Sequence, residues 1–283
     1  MSYEFQPGKM YRMPTHFGPR TGPRCGPDGK GFDCIDNPKS LTIAVSFLGK
    51  KEQLENLLPP RFELAGDPIA SVYVTHMKEI EWLAGRGYSV MGVTIPATFN
   101  GDDGAVTGSF LTVLWENLTD PIITGREELG FSKIYCELPE PTILRGDYHS
   151  IGSWMGFKFI DIKVENTTQQ SEDEITAINS GAARAGNKSA GTLHYKYMPR
   201  TGEWGTPDIE YAVLTPAEGS NAKLQERWVG DGSVEFHRAR WEDMPTQYNI
   251  VNALADLDVV EWRGGSVTRS VGGKDLSDQR ILR

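Results

Sequence analysis

The sequence predicts a mainly β protein of the α+β class, built as a closed or strongly curved antiparallel sheet with a few short helices. Short runs rich in Val, Ile, Thr, Tyr and Phe recur along most of the chain. Clusters of Gly, Pro, Asn and Asp separate them, as turns require. Helical spacing of apolar residues appears in few places. Many strands at short intervals with few helices suit a sheet that curls on itself. At 283 residues, 39% of them hydrophobic and 24% charged, the chain is globular and long enough to bury a substantial core.

Residues 1–38 read as an extended Gly/Pro-rich arm, with His16-Phe17-Gly18-Pro19, Gly22-Pro23 and Gly26-Pro27 setting its turns. Residues 39–283 read as a single domain. Its first strand spans 41–47. A short amphipathic helix follows over 50–58, with Leu54, Leu57 and Leu58 on one face and Pro59-Pro60 as its stop. Strands are expected over 69–77, 88–99 and 109–115, the last two joined through Asn100-Gly101-Asp102-Asp103-Gly104 as a hairpin. Asp120-Pro121 opens a second helix and Gly130 ends it. Further strands fall over 151–164, 192–198, 209–215, 226–236 and 259–268. A helix spans 245–255. The polar stretch 167–189 reads as a mobile loop.

The net charge of -9 argues against a nucleic-acid partner and means that an anionic substrate needs local cationic help. Three cysteines, Cys25, Cys34 and Cys136, make no disulfide framework, and Cys25 and Cys34 lie too far apart for a usual zinc pair. The histidines are scattered and form no metal motif, so no metal is expected. The apolar stretch 41–48, interrupted by Thr42 and Ser46, is too short to span a bilayer, and residues 1–7 carry no leader pattern. A cytoplasmic protein with no membrane partner is the expectation.

Three segments carry a family likeness: Tyr88 with Ile95-Pro96 and Phe99-Asn100-Gly101; Asp120-Pro121-Ile122-Ile123 with Gly125-Arg126-Glu127-Glu128-Leu129-Gly130-Phe131-Ser132-Lys133; and Leu257-Asp258-Val259-Val260-Glu261. The chain resembles the acetoacetate decarboxylase-like superfamily. The resemblance implies a β-cone fold, a homo-oligomer, and Lys133 as a buried amine that forms a Schiff base with a small keto acid. No separate cofactor is implied, because the substrate imine on Lys133 does the chemistry. Such an amine must be unprotonated, and lysine's ordinary pKa of about 10.4 has to be lowered by burial or a neighbouring cation. Acetoacetate decarboxylase is itself a standard instance of this activation.

The chain also departs from the decarboxylase pattern. Ile134 stands where the family's second lysine would be. Ser40, Tyr73 and Val90 fall near the positions of the family's strand arginine and two glutamates. This resembles the members that use pyruvate in aldol condensation with dehydration, or in the reverse hydration, with an aldehyde as second substrate. Decarboxylation of a β-keto acid, and a non-catalytic binding protein with an apolar cavity, are the alternatives.

For the acid that protonates the departing hydroxyl, Tyr248 is the first candidate, early in the last helix. Tyr248, Val251 and Ala255 share a helical face, so core packing is the competing reading. Glu116, at a strand end, orients the imine or acts as a base, or is a solvated loop residue. Tyr73 and Tyr88 are substrate-binding candidates on strands. Arg238 and Arg240, sharing one strand face, are candidates to grip a substrate carboxylate, or form a solvated edge. Arg126 and Glu127 are expected to brace the lysine loop through an ion pair.

Overall fold

In β1 (Lys39–Leu48), Ile43, Val45 and Phe47 are buried on one face, and Ser40, Thr42 and Ala44 alternate onto the other. A computed structural model describes residues 3–180 and 189–283. The helix α1 (Lys51–Glu55) is shorter than its sequence pattern suggests and buries Leu54. The strands β2 (Phe62–Leu64), β3 (Ile69–Ile80), β4 (Arg86–Gly101) and β5 (Gly104–Glu116) follow. After β5 come α2 (Thr119–Thr124), a π-helical turn (Gly125–Leu129) ended by Gly130, and β6 (Lys133–Tyr135). The chain continues through β7 (Thr142–Leu144), β8 (Asp147–Trp154), β9 (Phe157–Gln169), α3 (Glu172–Asn179), β10 (Gly191–Pro199), β11 (Pro207–Pro216), β12 (Lys223–Phe236), α4 (Tyr248–Ala255), β13 (Glu261–Val271) and β14 (Arg280–Leu282).

Among the described residues these strands form one 14-stranded sheet. Its order is β14-β11-β10-β5-β4-β3-β1-β13-β12-β9-β8-β7, with β2 on β4 and β6 on β5. The sheet curls tightly enough that β1 touches β9 across two intervening strands. Closure into a barrel is not achieved: the two ends, β14 and β7, do not pair. Nor is the sheet wholly antiparallel, since β10 and β6 both run parallel to β5. The curled interior holds the main core, and Leu54 of α1 and Val251 and Leu254 of α4 pack into it.

Other elements differ from the sequence reading. The run over 151–164 is a hairpin. Met155 and Gly156 take φ of 49° and 87°, the paired positive values of a two-residue hairpin turn, although methionine rarely adopts them. Part of the expected loop over 167–189 is β9 and α3. That helix is fixed by a capping box between Ser171 and Glu174; residues 181–188 lie outside the described residues. Among the described residues no helix is long and apolar enough to cross a membrane.

A bulge in β5 prepares the functional face. Val93 pairs with Val113 and Thr94 with Leu111, leaving Thr112 as the extra residue. Phe110, Val113 and Trp115 therefore face the main core, while Leu111 and Leu114 join Leu129 and Phe131 in a second apolar cluster on the opposite face. Tyr73, Val90 and Leu276 pack against this second cluster.

Candidate active site

Four strands put one row of residues across the second face. Tyr73 on β3 pairs with Gly92 on β4, Gly92 with Leu114 on β5, and Leu114 with Lys133 on β6. Gly92 has no side chain, and that absence matters. A Cβ there would stand 2.5 Å from the Tyr73 hydroxyl, so the phenol lies across the glycine toward β5. Glu116 lies two residues beyond Leu114 on the same face of β5.

Lys133 is 2% exposed and Glu116 is fully buried. The lysine Nζ lies 2.8 Å from Glu116 Oε1 and donates to the Pro121 carbonyl at 3.1 Å. It also sits 5.3 Å from the centre of the Phe131 ring. Among the described residues no hydrogen-bond donor other than the lysine reaches the Glu116 carboxylate. Burial lowers the lysine pKa, Glu116 opposes the shift, and the charge of Arg24 adds to it. Burial likewise raises the Glu116 carboxyl, against the pull of Lys133 and Arg24. Burial thus drives both groups toward their neutral forms.

The lysine segment is tightly held. Arg126 donates to the Lys133 carbonyl at 2.8 Å, and Lys196 donates to the Glu127 carbonyl at 2.7 Å. The bracing expected of Arg126 and Glu127 therefore runs through main-chain carbonyls rather than through a pair between their side chains. His194 is buried and stacks on Phe131 with ring centres 4.2 Å apart. Burial lowers its pKa to about 4, so the ring is neutral near pH 7. Its Nδ1 contacts the Gly130 carbonyl at 2.9 Å, and a carbonyl only accepts. The proton is therefore on Nδ1, and Nε2 accepts from Thr215 at 3.1 Å.

Gly125, in the π-helical turn, leaves the space that the lysine chain fills. A Cβ built there would stand 2.3 Å from Lys133 Cδ and 2.8 Å from Nζ. Gly125→Ala should leave the melting temperature within a few degrees, because a flexible side chain yields first. On the reading proposed below, it should slow carbonyl trapping at Lys133 by about 100-fold, the cost of moving a reacting group by roughly 1 Å. Paired thermal melts and carbonyl-trapping rates check this.

The N-terminal arm crosses this face. Arg12 donates to Thr124 Oγ1 at 2.6 Å, and Arg12 and Arg20 both approach Glu128 Oε1, at 3.5 and 3.3 Å. Arg24 follows, its guanidinium 5.2 Å from the Trp82 ring centre. Arg24, Trp82, Tyr88, Ser40 and Leu276 help to line a cavity of about 220 Å³. Lys133 is not on its wall. Arg24 and Tyr88 connect the two places, because the charges of Arg24 and Glu116 both act on the Tyr88 phenol. Burial pushes that phenol up to about 12. Tyr73 is raised as well, by burial and then by Glu116.

Of the residues singled out in the sequence, Lys133 and Glu116 are in contact, Tyr73 packs against the second apolar cluster beside them, and Tyr88 lines the neighbouring cavity. Tyr248, Arg238 and Arg240 do not join them. The helix α4 packs into the main core, on the opposite side of β5 from Glu116, and Tyr248 on it is 38% exposed. Arg238 pairs with Asp256, and Arg240 forms a two-pronged pair with Asp243 at 2.7 and 2.9 Å. These charges are satisfied on the surface. Sequence reasoning missed Arg24, His194 and the space at Gly125. The one available signal for Arg24 was a set of arginines in the arm of an acidic chain.

The chain belongs to the acetoacetate decarboxylase family, whose model matches residues 12–263. No curated protein sequence matches it. Among solved structures it is similar to the enduracididine biosynthesis enzyme MppR complexed with the condensation product of pyruvate and imidazole 4-carboxaldehyde. That match has 15% identity and a TM-score of 0.61, and covers 98% of each chain. Acetoacetate decarboxylase from Legionella pneumophila subsp. pneumophila str. Philadelphia 1 matches with 16% identity and a TM-score of 0.62, over 88% of each chain. An acetoacetate decarboxylase-like enzyme from Sphingomonas wittichii RW1 matches with 17% identity and a TM-score of 0.56, over 92% of this chain and 98% of the other. At these identities the likeness speaks for the fold.

Proposed function

We propose that this chain is a Schiff-base-forming lyase that acts on a small 2-oxo acid through Lys133, in the manner of a pyruvate aldolase-dehydratase or hydratase. The observation that carries the reading is the buried Lys133–Glu116 pair, in which both partners are pushed toward neutrality. A neutral amine is the nucleophile and a protonated carboxyl is the acid that imine formation needs.

The steps balance with these groups alone. The Lys133 amine adds to the ketone carbon, and its proton passes to the oxygen. Glu116 protonates the resulting hydroxyl, which leaves as water. A protonated imine remains beside the Glu116 carboxylate. The Glu116 carboxylate takes a proton from the adjacent methyl carbon, giving an enamine that attacks an aldehyde carbonyl carbon, and Glu116 returns that proton to the aldehyde oxygen as the carbon–carbon bond forms. Loss of a second water gives the unsaturated 2-oxo acid, and hydrolysis frees Lys133. The substrate imine itself is the electron sink, so the reading calls for no separate cofactor.

Tyr73 is the phenol best placed to assist that second loss of water, because its row across the sheet ends at Lys133. Tyr73→Phe should slow dehydration by about 100-fold while imine trapping continues, so that the undehydrated aldol accumulates. Chromatography of the products checks this.

Position 134 favours the reading over decarboxylation, since isoleucine stands there and its side chain packs with the main core. MppR, bound to a condensation product of pyruvate, supplies a parallel on the same fold. The direct test is to supply pyruvate with an aromatic aldehyde and, separately, acetoacetate alone. An ultraviolet-absorbing unsaturated 2-oxo acid from the first supports the reading. Carbon dioxide from the second, with no condensation product from the first, replaces it with a decarboxylase.

A further inference from the structure

The arm ends its path over the sheet with a cation that has no anion. Arg24 forms no ion pair among the described residues, and its Nε is buried without a hydrogen-bond partner. Its guanidinium is held over Trp82 at 5.2 Å and hydrogen-bonds to the Tyr88 phenol, which leaves Nε as its unpartnered nitrogen. The arm itself is fastened one turn earlier, by Arg12 and Arg20 on Glu128. Leaving a buried guanidinium nitrogen unpaired costs free energy unless something fills the place in the working state.

The cavity beside Arg24 says what would fill it. Its volume of about 220 Å³ is below the range of pockets that take drug-sized ligands, and suits a molecule of a few heavy atoms. Its wall is largely apolar, with Phe32, Met77, Ile80 and Leu276 among the contributors. The acidic residues on it are Glu81 and Asp275, and Asp275 already accepts from Ser277. The other cation, Lys274, is occupied by the Pro216 carbonyl and Asp278.

We infer that Arg24, carried by the N-terminal arm, grips the carboxylate of the substrate and sets its keto carbon toward Lys133. The inference rests on the Schiff-base reading and names the group that makes the site selective for 2-oxo acids. It also gives the arm a role: Arg12 and Arg20 are the fastening, and Arg24 is what they deliver. A cation held on the carboxylate stabilises that group in the bound state. It therefore favours reactions that keep the carboxylate over reactions that expel it.

Removing Arg24 also takes a cation away from Lys133, so a simple rate loss would be ambiguous. The comparison of pyruvate with methyl pyruvate resolves this, because amine activation affects both and carboxylate capture only one. In the native chain, borohydride trapping on Lys133 should favour pyruvate. In Arg24→Met and Arg24→Gln that preference should fall by about 10- to 100-fold, the worth of a charge-assisted hydrogen bond. Arg24→Lys should restore part of it.

Calorimetric titration of pyruvate into Lys133→Met, with and without Arg24→Met, reads the grip without any imine. Binding present in the single variant and lost in the double variant supports the inference, even if no adduct forms in the native chain and the Schiff-base reading falls. Equal losses for pyruvate and methyl pyruvate, with pyruvate binding indifferent to Arg24→Met, would overturn the inference and leave the Schiff-base reading standing.

Discussion

Lys133→Met should abolish covalent capture of keto acids and leave a folded protein. The loss expected is about 10⁴-fold or more, because among the described residues no other lysine is buried against a buried carboxylate. Methionine matches the length of the lysine stem and tolerates the apolar surroundings of Leu114, Phe131 and the open space at Gly125. The carboxyl left behind does not become a bare buried charge. Burial already raises its pKa above the usual carboxylate value, and removing the lysine takes away the largest pull against that rise. The stability cost should therefore stay within about 1–3 kcal/mol, that of one unsatisfied buried polar group. Circular dichroism and a thermal melt, run beside the trapping assay, separate loss of chemistry from loss of fold.

Glu116→Gln should slow imine formation by about 10²- to 10⁴-fold, the usual contribution of a positioned general acid. Its pH profile is the more telling readout. In the native pair the reactive state holds one proton for two groups. Below that state an added proton silences the amine, and above it the acid is lost. Rate should therefore rise with pH as the pair loses its first proton and fall as it loses its second. Because burial raises the Glu116 value and lowers the Lys133 value, both limbs belong to the pair and fall between the ordinary carboxylate and lysine ranges. In Glu116→Gln only the amine titrates, so the falling limb should vanish and the rate should climb to a plateau. A profile that stays bell-shaped would assign the acid to another group.

Much of the sheet was legible because alternation is local. Over most of β1, β3 and β4 apolar residues alternate onto the buried face, and these strands and β5 lie where the sequence pattern puts them, a few residues longer at their ends. The hairpin between β8 and β9 was hidden because Met155 takes a turn conformation that methionine rarely signals. The helix α3 was hidden for a different reason. It buries no residue, so it has no apolar stripe, although Ser171 and Glu174 spell its cap. Closure failed as an expectation because strand count does not say which edges meet.

The site divides in the same way. Lys133 was reached through a family resemblance over its own segment, not through composition. Glu116 was legible only as the nearest carboxylate upstream of the helix, with a solvated loop residue as the competing reading; it is instead fully buried at the end of β5, and pairing of β6 with β5 puts the lysine beside it. Tyr248 illustrates the opposite outcome. Its helix was read correctly, but a helical pattern does not say which side of the sheet the helix covers, and α4 covers the other one. Arg24 depends on the path of a Gly/Pro-rich arm over a hundred residues from Glu128 and Thr124, which no local pattern encodes.

The central claim is that Lys133 is the amine that captures a 2-oxo acid. It is tested most directly by incubating the native chain with pyruvate, reducing with borohydride, and mapping the modified peptide by mass spectrometry. The account predicts one added 1-carboxyethyl group, on the Lys133 amine, that is absent from Lys133→Met. A folded native chain that takes no adduct, or takes it on other lysines to the same extent in Lys133→Met, would contradict it.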